Sequence, residues 1–210
     1  MGSGYRLAMR DMEIRGAGNL LGAEQHGFMQ QVGYEMYVSL LEKAVRSLRG
    51  QKEEAAERIL TGVEIPVDAY LPTVYVENPK DRFAFYKRIA GAIELEALTE
   101  IESELQDRYG QLPTEVENLL DVASMRLYAG KMGVTQISLG RPDMVMGRER
   151  LNFKVEVPHL FPLDKVAALD KRFPGAEFDR RTQCFSIPLD KPGAALDRGL
   201  ALLRHLSSRE

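Results

Sequence analysis

The stretch from Tyr109 to Gly140, "YGQLPTEVENLLDVASMRLYAGKMGVTQISLG", changes period midway, and that change decides the fold class. Thr114 and Glu117 have the spacing of a capping box, and Leu119, Leu120, Ala123 and Leu127 recur on one helical face. Gly133 offers a stop. "VTQISLG" then follows as a partly alternating run of the kind a strand shows.

Upstream of this stretch the pattern is helical. A helix from about Ala97 to Tyr109 carries Leu98, Ile101, Leu105 and Tyr109 and is closed by Gly110. Before it, from Asp81, Phe83, Tyr86, Ile89, Ala90 and Ile93 predict another helical face. Downstream, "DMVMG", "LNFKVEV", "AEFDR" and "CFSIPL" predict short strands, while "PLDKVAALDKRF" and "AALDRGLALLRHLSS" predict amphipathic helices. The expected class is α+β, a three-helix subdomain followed by a small, mostly antiparallel sheet with two packed helices.

"VEIPVDAYLPTVYVENP" holds Pro66, Pro72 and Pro79, so it reads as extended chain with an edge strand at most. We place the domain boundary there. Residues 1–62 form a helical hairpin motif and linker; residues 63–210 form the α+β domain, with helices at about 81–133 and sheet plus helices at 134–210. Within the first part, Met36, Tyr37, Leu40, Leu41, Ala44, Val45 and Leu48 share a helical face ended by Gly50.

The 210 residues include no apolar run near the ~20 needed to cross a bilayer. The opening residues lack a basic-then-apolar secretion signal, and the lone Cys184 excludes an internal disulfide, so a cytoplasmic location is expected. The net charge of −3 argues against a dedicated nucleic-acid module. It is unevenly spread: residues 63–133 carry 7 basic against 13 acidic groups, and residues 134–210 carry 13 against 10. An acidic middle selects partners even when the total is bland.

The other conspicuous stretch is "RDMEIRGAGNLLGAEQHGF", Arg10 to Phe28, with Gly16, Gly18, Gly22 and Gly27. A phosphate-binding P-loop needs a lysine and a hydroxyl directly after the glycines, and here "AEQ" follows. The spacing of "GAGNLLG" is one residue too long for a dinucleotide fingerprint. His26, His159 and His205 lie far apart in sequence, and one cysteine gives no zinc quartet. No catalytic residue, cofactor or metal site is therefore expected within this chain.

The pattern D-x-E-x-R-G-x-G-x-x-L-G-x-x-Q-x-G is matched at Asp11, Glu13, Arg15, Gly16, Gly18, Leu21, Gly22, Gln25 and Gly27. It resembles the translocation motif shared by bacterial transcription-repair coupling factors and RecG-type branch-migration helicases. The run "IPVDAYLP…RFAFYKRIA…DRYGQLPTEVENLL" resembles the C-terminal domain peculiar to the coupling factors. The resemblance is dense to about Gly133 and thin beyond.

What it implies is a C-terminal fragment of an ATP-driven double-stranded-DNA translocase that displaces stalled RNA polymerase and recruits nucleotide excision repair. ATP and Mg would be bound by motor lobes outside these residues. Arg15 and Gln25 would couple hydrolysis to translocation, with Glu13 and Arg10 as orienting partners and Gly16, Gly18 and Gly22 letting the backbone turn closely. The competing reading has Arg15 and Gln25 merely satisfying carbonyls and capping helices.

In the second predicted helix, Glu96, Glu100, Glu104 and Asp107 form one stripe opposite the apolar face. The plain reading is a solvated face. The resemblance implies another: this domain packs on an N-terminal module similar to part of UvrB and hides its UvrA-binding surface, with Glu100, Glu104 and Asp107 as the clamp. Charge reversal of Glu104 and Asp107 together is then expected to expose the UvrA site. An alternative is nucleic-acid binding through residues 134–210, where "RERLNFK" and "FDRRTQCF" place basic groups near aromatics. A further alternative, an enzyme using the glycine loop for phosphate, would require ATP binding by this chain alone.

Overall fold

The computed structural model describes residue 59 and residues 61–140, 148–166, 169, 172–191 and 193–208. The glycine-rich motif, the "YEMYVSLLEKAVRSLRG" helix and the "DMVMG" strand lie outside the described residues.

Three helices come first. Asn78 caps α1 (Pro79–Gly91) by accepting from the Lys80 amide at 2.9 Å, and Pro79 supplies a first-turn residue that needs no donor. Its buried face is Arg82, Phe85, Tyr86 and Ile89; Tyr86 and Ile89 belong to the predicted face, Phe85 rather than Phe83 is buried, and Ile93 lies past the helix end, half exposed. Arg82 joins that face because its guanidinium turns inward to donate to the carbonyls of Val76 (2.6 Å) and Glu77 (2.9 Å).

Helix α2 (Leu95–Tyr109) begins two residues before the predicted start and ends on Gly110, whose φ of 86° no other residue type adopts without strain. It buries Leu98, Ile101 and Leu105. Helix α3 (Thr114–Lys131) does not form the predicted capping box. Pro113 occupies the N-cap, and its carbonyl takes the amides of Val116 (2.9 Å) and Glu117 (3.1 Å), so Thr114 is already inside the first turn. Leu119, Leu120 and Ala123 are buried, as their spacing predicts.

The sheet has the order β1-β2-β3-β5-β4. β1 (Gly62–Glu64) pairs parallel with β2 (Val134–Gly140), and β3 (Arg150–Val155), β5 (Cys184–Pro188) and β4 (Glu177–Asp179) continue antiparallel. The register aligns Val63, Ile137, Phe153, Phe185 and Phe178 across all the strands on one face. Helix α3 and the last helix, α5 (Ala195–Ser207), belong to the same core. α5 approaches so closely that a Cβ on Gly199 would stand 2.7 Å from Leu151 Cδ2 and 2.8 Å from Met125 Cε. The opposite face carries Ser138, Asn152 and Ser186 in register, which gives the alternation expected of a one-sided sheet.

Of the helix predicted over "PLDKVAALDKRF", the described residues include α4 (Leu163–Val166) and a turn in which the Phe173 amide donates to the Leu169 carbonyl at 2.7 Å. Pro174 bars the residue before it from continuing as helix.

Ile59 and residues 61–70 lie along α3 from its end back to its start. A Cβ on Gly130 would lie 2.7 Å from the Ile59 carbonyl. Arg126 Nε donates to the Thr61 carbonyl at 3.3 Å, Asn118 to Asp68 at 2.9 Å, and the Tyr70 amide to Glu115 at 3.1 Å. The buried Thr61 hydroxyl donates to Val134 at 2.6 Å and ties the same segment to β2. The chain then crosses to the other helices. The Leu71 amide donates to Tyr86 Oη at 2.7 Å, and Tyr75 Oη is 3.0 Å from both Leu105 and Gly110 carbonyls.

Candidate functional site

The sequence-predicted residues Arg10, Glu13, Arg15, Gly16, Gly18, Gly22 and Gln25 lie outside the described residues. The predicted clamp residues Glu100, Glu104 and Asp107 are all on α2. Burying Leu98, Ile101 and Leu105 turns the acidic stripe away from the core, but its members differ in surroundings. Glu96, Glu100 and Asp107 are exposed, and among the described residues none of the three has an ion-pair partner.

Glu104 is half-buried and bracketed. Its Oε2 accepts from Arg88 of α1, and its Oε1 from Arg108 at 3.0 Å. Arg108 also reaches Asp81 of α1 at 3.2 Å, and Tyr109 Oη donates to the same carboxylate at 3.3 Å. Both guanidinium carbons stand 5.5 Å from the Phe85 ring centroid. The hydrogen bonds from Arg88 and Arg108 hold the Glu104 carboxyl below the usual glutamate range. This bracket ties α2 to α1 beside the buried Leu98, Ile101 and Leu105.

Sequence reasoning missed Arg88, Arg108 and Asp81. The Glu104–Arg108 spacing of four residues was a readable helix pair, whereas Arg88 and Asp81 meet α2 only through tertiary packing.

A second acidic group is shifted the other way. Asp121 of α3 lies 3.7 Å from Arg204 of α5. Burial pushes its carboxyl above the usual aspartate range; Arg204 opposes that shift, while Asp197, Glu102 and Glu117 add to it. Glu104 and Asp121 therefore act with opposite sign. The Glu104 contribution is present above its unfolded pKa of about 4.3 and is lost as pH falls through the lower folded value. Asp121 holds its proton more tightly when folded, so it costs stability as pH rises above about 3.9 through its raised value. Asp121→Asn is expected to raise the melting temperature at pH 7, with the gain shrinking as pH is lowered toward about 4. Thermal melts at the two pH values check this.

Some basic groups in the C-terminal part face carboxylates of the same part. Arg150 pairs with Glu177 at 2.9 Å and also donates to Ser186, Lys154 pairs with Glu156 at 3.1 Å, and Arg198 pairs with Asp190. Arg180 and Arg181 remain exposed on the β4–β5 turn. A shallow groove of about 180 Å³ lies among Ile65, Val67, Leu139, Leu189 and Leu196, with Glu149 as its carboxylate. Among the described residues no group of His, Cys, Asp and Glu is placed to hold a metal ion, and no helix is long and apolar enough to cross a membrane.

Comparison with known proteins agrees with the architecture. The TRCF domain family model matches residues 65–153. Transcription-repair-coupling factor of Staphylococcus haemolyticus (strain JCSC1435) is 44% identical over 137 residues, or 65% of this chain. That of Staphylococcus aureus (strain USA300) is 42% identical over the same length. The chain spans about 12% of the length of these relatives. A crystal structure of the C-terminal domain of a transcription-repair coupling factor superposes with a TM-score of 0.53 at 17% identity, covering 71% of this chain and 96% of that one. That likeness is one of fold: helices with a small mixed sheet. Residues 65–153 thus match the TRCF domain, and the chain is similar to transcription-repair coupling factors over 65% of its length.

Proposed function

We propose that residues 63–210 are a regulatory domain that clamps the N-terminal UvrB-like module of the same protein and masks its UvrA-binding surface. The observation that carries this reading is the α2 face. Glu100 and Asp107 are exposed carboxylates without ion-pair partners among the described residues, on a helix held in place by the Arg88–Glu104–Arg108–Asp81 bracket. Exposed charges of one sign suit a partner surface of the other sign.

The same reading gives residues 1–62 the coupling role. Arg15 and Gln25, with Arg10, Glu13, Gly16, Gly18 and Gly22, transmit ATP hydrolysis in the motor lobes to translocation on double-stranded DNA. The parent displaces stalled RNA polymerase in the bacterial cytoplasm and recruits UvrA. What supports this is the density of the motif match together with the TRCF domain match of residues 65–153 that follow it. The internal pairing of Arg150 and Lys154 weighs against nucleic-acid binding as the main task of residues 134–210.

The bracket changes which variant tests the clamp. Reversing Glu104 would also break the α1–α2 contact, so Glu100→Lys with Asp107→Lys is the cleaner pair. Exposed ion pairs contribute ~0–1 kcal/mol each, so this double variant is expected to weaken docking on the N-terminal module by up to about 30-fold. The effect should fade in high salt. Titration of the chain with that module, at low and high salt, measures it. Unchanged affinity would sink the clamp.

A further inference from the structure

Charges alone make a poor latch. Exposed ion pairs are individually weak, and protein interfaces draw most of their affinity from a few apolar anchors that enter pockets beside them. The described surface has one candidate at the same end of α2 as Asp107. The turn Pro72–Val76 is closed by the Tyr75 and Val76 amides, each donating to the Pro72 carbonyl at 3.0 Å. Tyr75 Oη lies 3.0 Å from both the Leu105 and Gly110 carbonyls, and the Tyr75 ring packs on Tyr109 at 5.7 Å. Arg82 secures the exit of the turn through Val76 and Glu77. The turn is thus stitched to α2 and α1, and Val74 stands at its tip with 86% of its surface exposed, the most of the large apolar side chains described.

The geometry points to Val74 as the apolar anchor of the α2 docking surface, deepening the clamp reading on which it rests. The matching partner surface is a protein face with a small apolar pocket rimmed by guanidinium or ammonium groups. The pocket takes the Val74 side chain, and the basic rim faces Asp107 and Glu100. The local charge selects such a rim, because the segment that carries the turn and α2 is the acidic part of the chain. The pinned turn supplies the anchor already ordered, so docking loses little backbone freedom.

The test uses the full-length parent and reads UvrA affinity, which rises when the clamp opens. Val74→Asp is expected to raise it about tenfold at both low and high salt, because a buried apolar contact is not screened. Glu100→Lys with Asp107→Lys should raise it at low salt only, and Val74→Ile should behave as wild type. The melting temperature of Val74→Asp should match wild type, since the side chain is exposed in the free domain. If only the charge variant acts, the anchor is overturned and the clamp stands. If neither acts, the clamp reading fails and the anchor with it. If Val74→Asp acts, at both salt levels, the anchor is supported.

Discussion

Gly133→Ala is expected to destabilise the domain by about 3 kcal/mol, which for a domain of this size lowers the melting temperature by roughly 10 °C. Two costs combine. Gly133 has a φ of 76°, a region in which a side chain costs about 1–2 kcal/mol. A Cβ there would also stand 2.4 Å from the Val157 carbonyl oxygen and 2.9 Å from Val157 Cβ. That neighbour cannot give way, because the Glu156 and Val157 amides both donate to the Gly133 carbonyl, at 3.0 and 3.2 Å. The turn from α3 into β2 and the end of β3 are therefore locked around an absent side chain. Gly110 provides the control, with a φ of 86° and nothing within 4 Å of the place a Cβ would take. Gly110→Ala should carry only the backbone cost. Denaturant melts of the two variants check the difference, and equal losses would refute the close-approach argument.

Phe153→Ala is expected to cost about 3–5 kcal/mol. Phe153 is completely buried at the centre of the row that crosses the sheet, between Ile137 and Phe185. Its ring lies 5.9 Å from that of Phe185, which in turn meets Phe161 at 5.4 Å. The cavity cannot collapse readily, since strands flank it on both sides and α5 already approaches to contact at Gly199. Ile187→Val, also in the core, removes one methylene and should cost only about 0.5–1.5 kcal/mol. Equilibrium unfolding in urea measures both, and a loss below about 1 kcal/mol for Phe153→Ala would contradict this account of the core.

What was legible in the sequence was periodicity. Leu98, Ile101 and Leu105 announced α2, "VTQISLG" became β2 over its whole length, and the α5 pattern extended from Ala195 to Ser207 as spaced. What was not legible depended on side chains behaving against type. Arg82 is a cation turned inward to serve carbonyls, so a hydrophobicity pattern could not place it on the buried α1 face. At α3, Pro113 displaced Thr114 from the cap because its carbonyl, not a hydroxyl, closes the first turn. The acidic stripe was visible as a spacing, but its division into one bracketed and several exposed carboxylates depends on Arg88, which lies sixteen positions from Glu104. Val74 carried no signal beyond being apolar in a proline-bounded loop.

The segment from Ile59 to Tyr70 sets how a mechanical load enters the domain. Its attachments to Gly130, Arg126, Asn118 and Glu115 are spread along α3 in reverse order, and each hydrogen bond contributes roughly 1 kcal/mol. A tug on the chain before Ile59 directed along the α3 axis would shear these attachments together, so the helix would follow as a rigid rod. The same tug directed away from the helix would peel them singly, starting beside Gly130 and the Thr61 hydroxyl. Beyond that point the peeling would meet the pairing of Gly62–Glu64 with β2, so the direction of pull decides which attachments bear the load first.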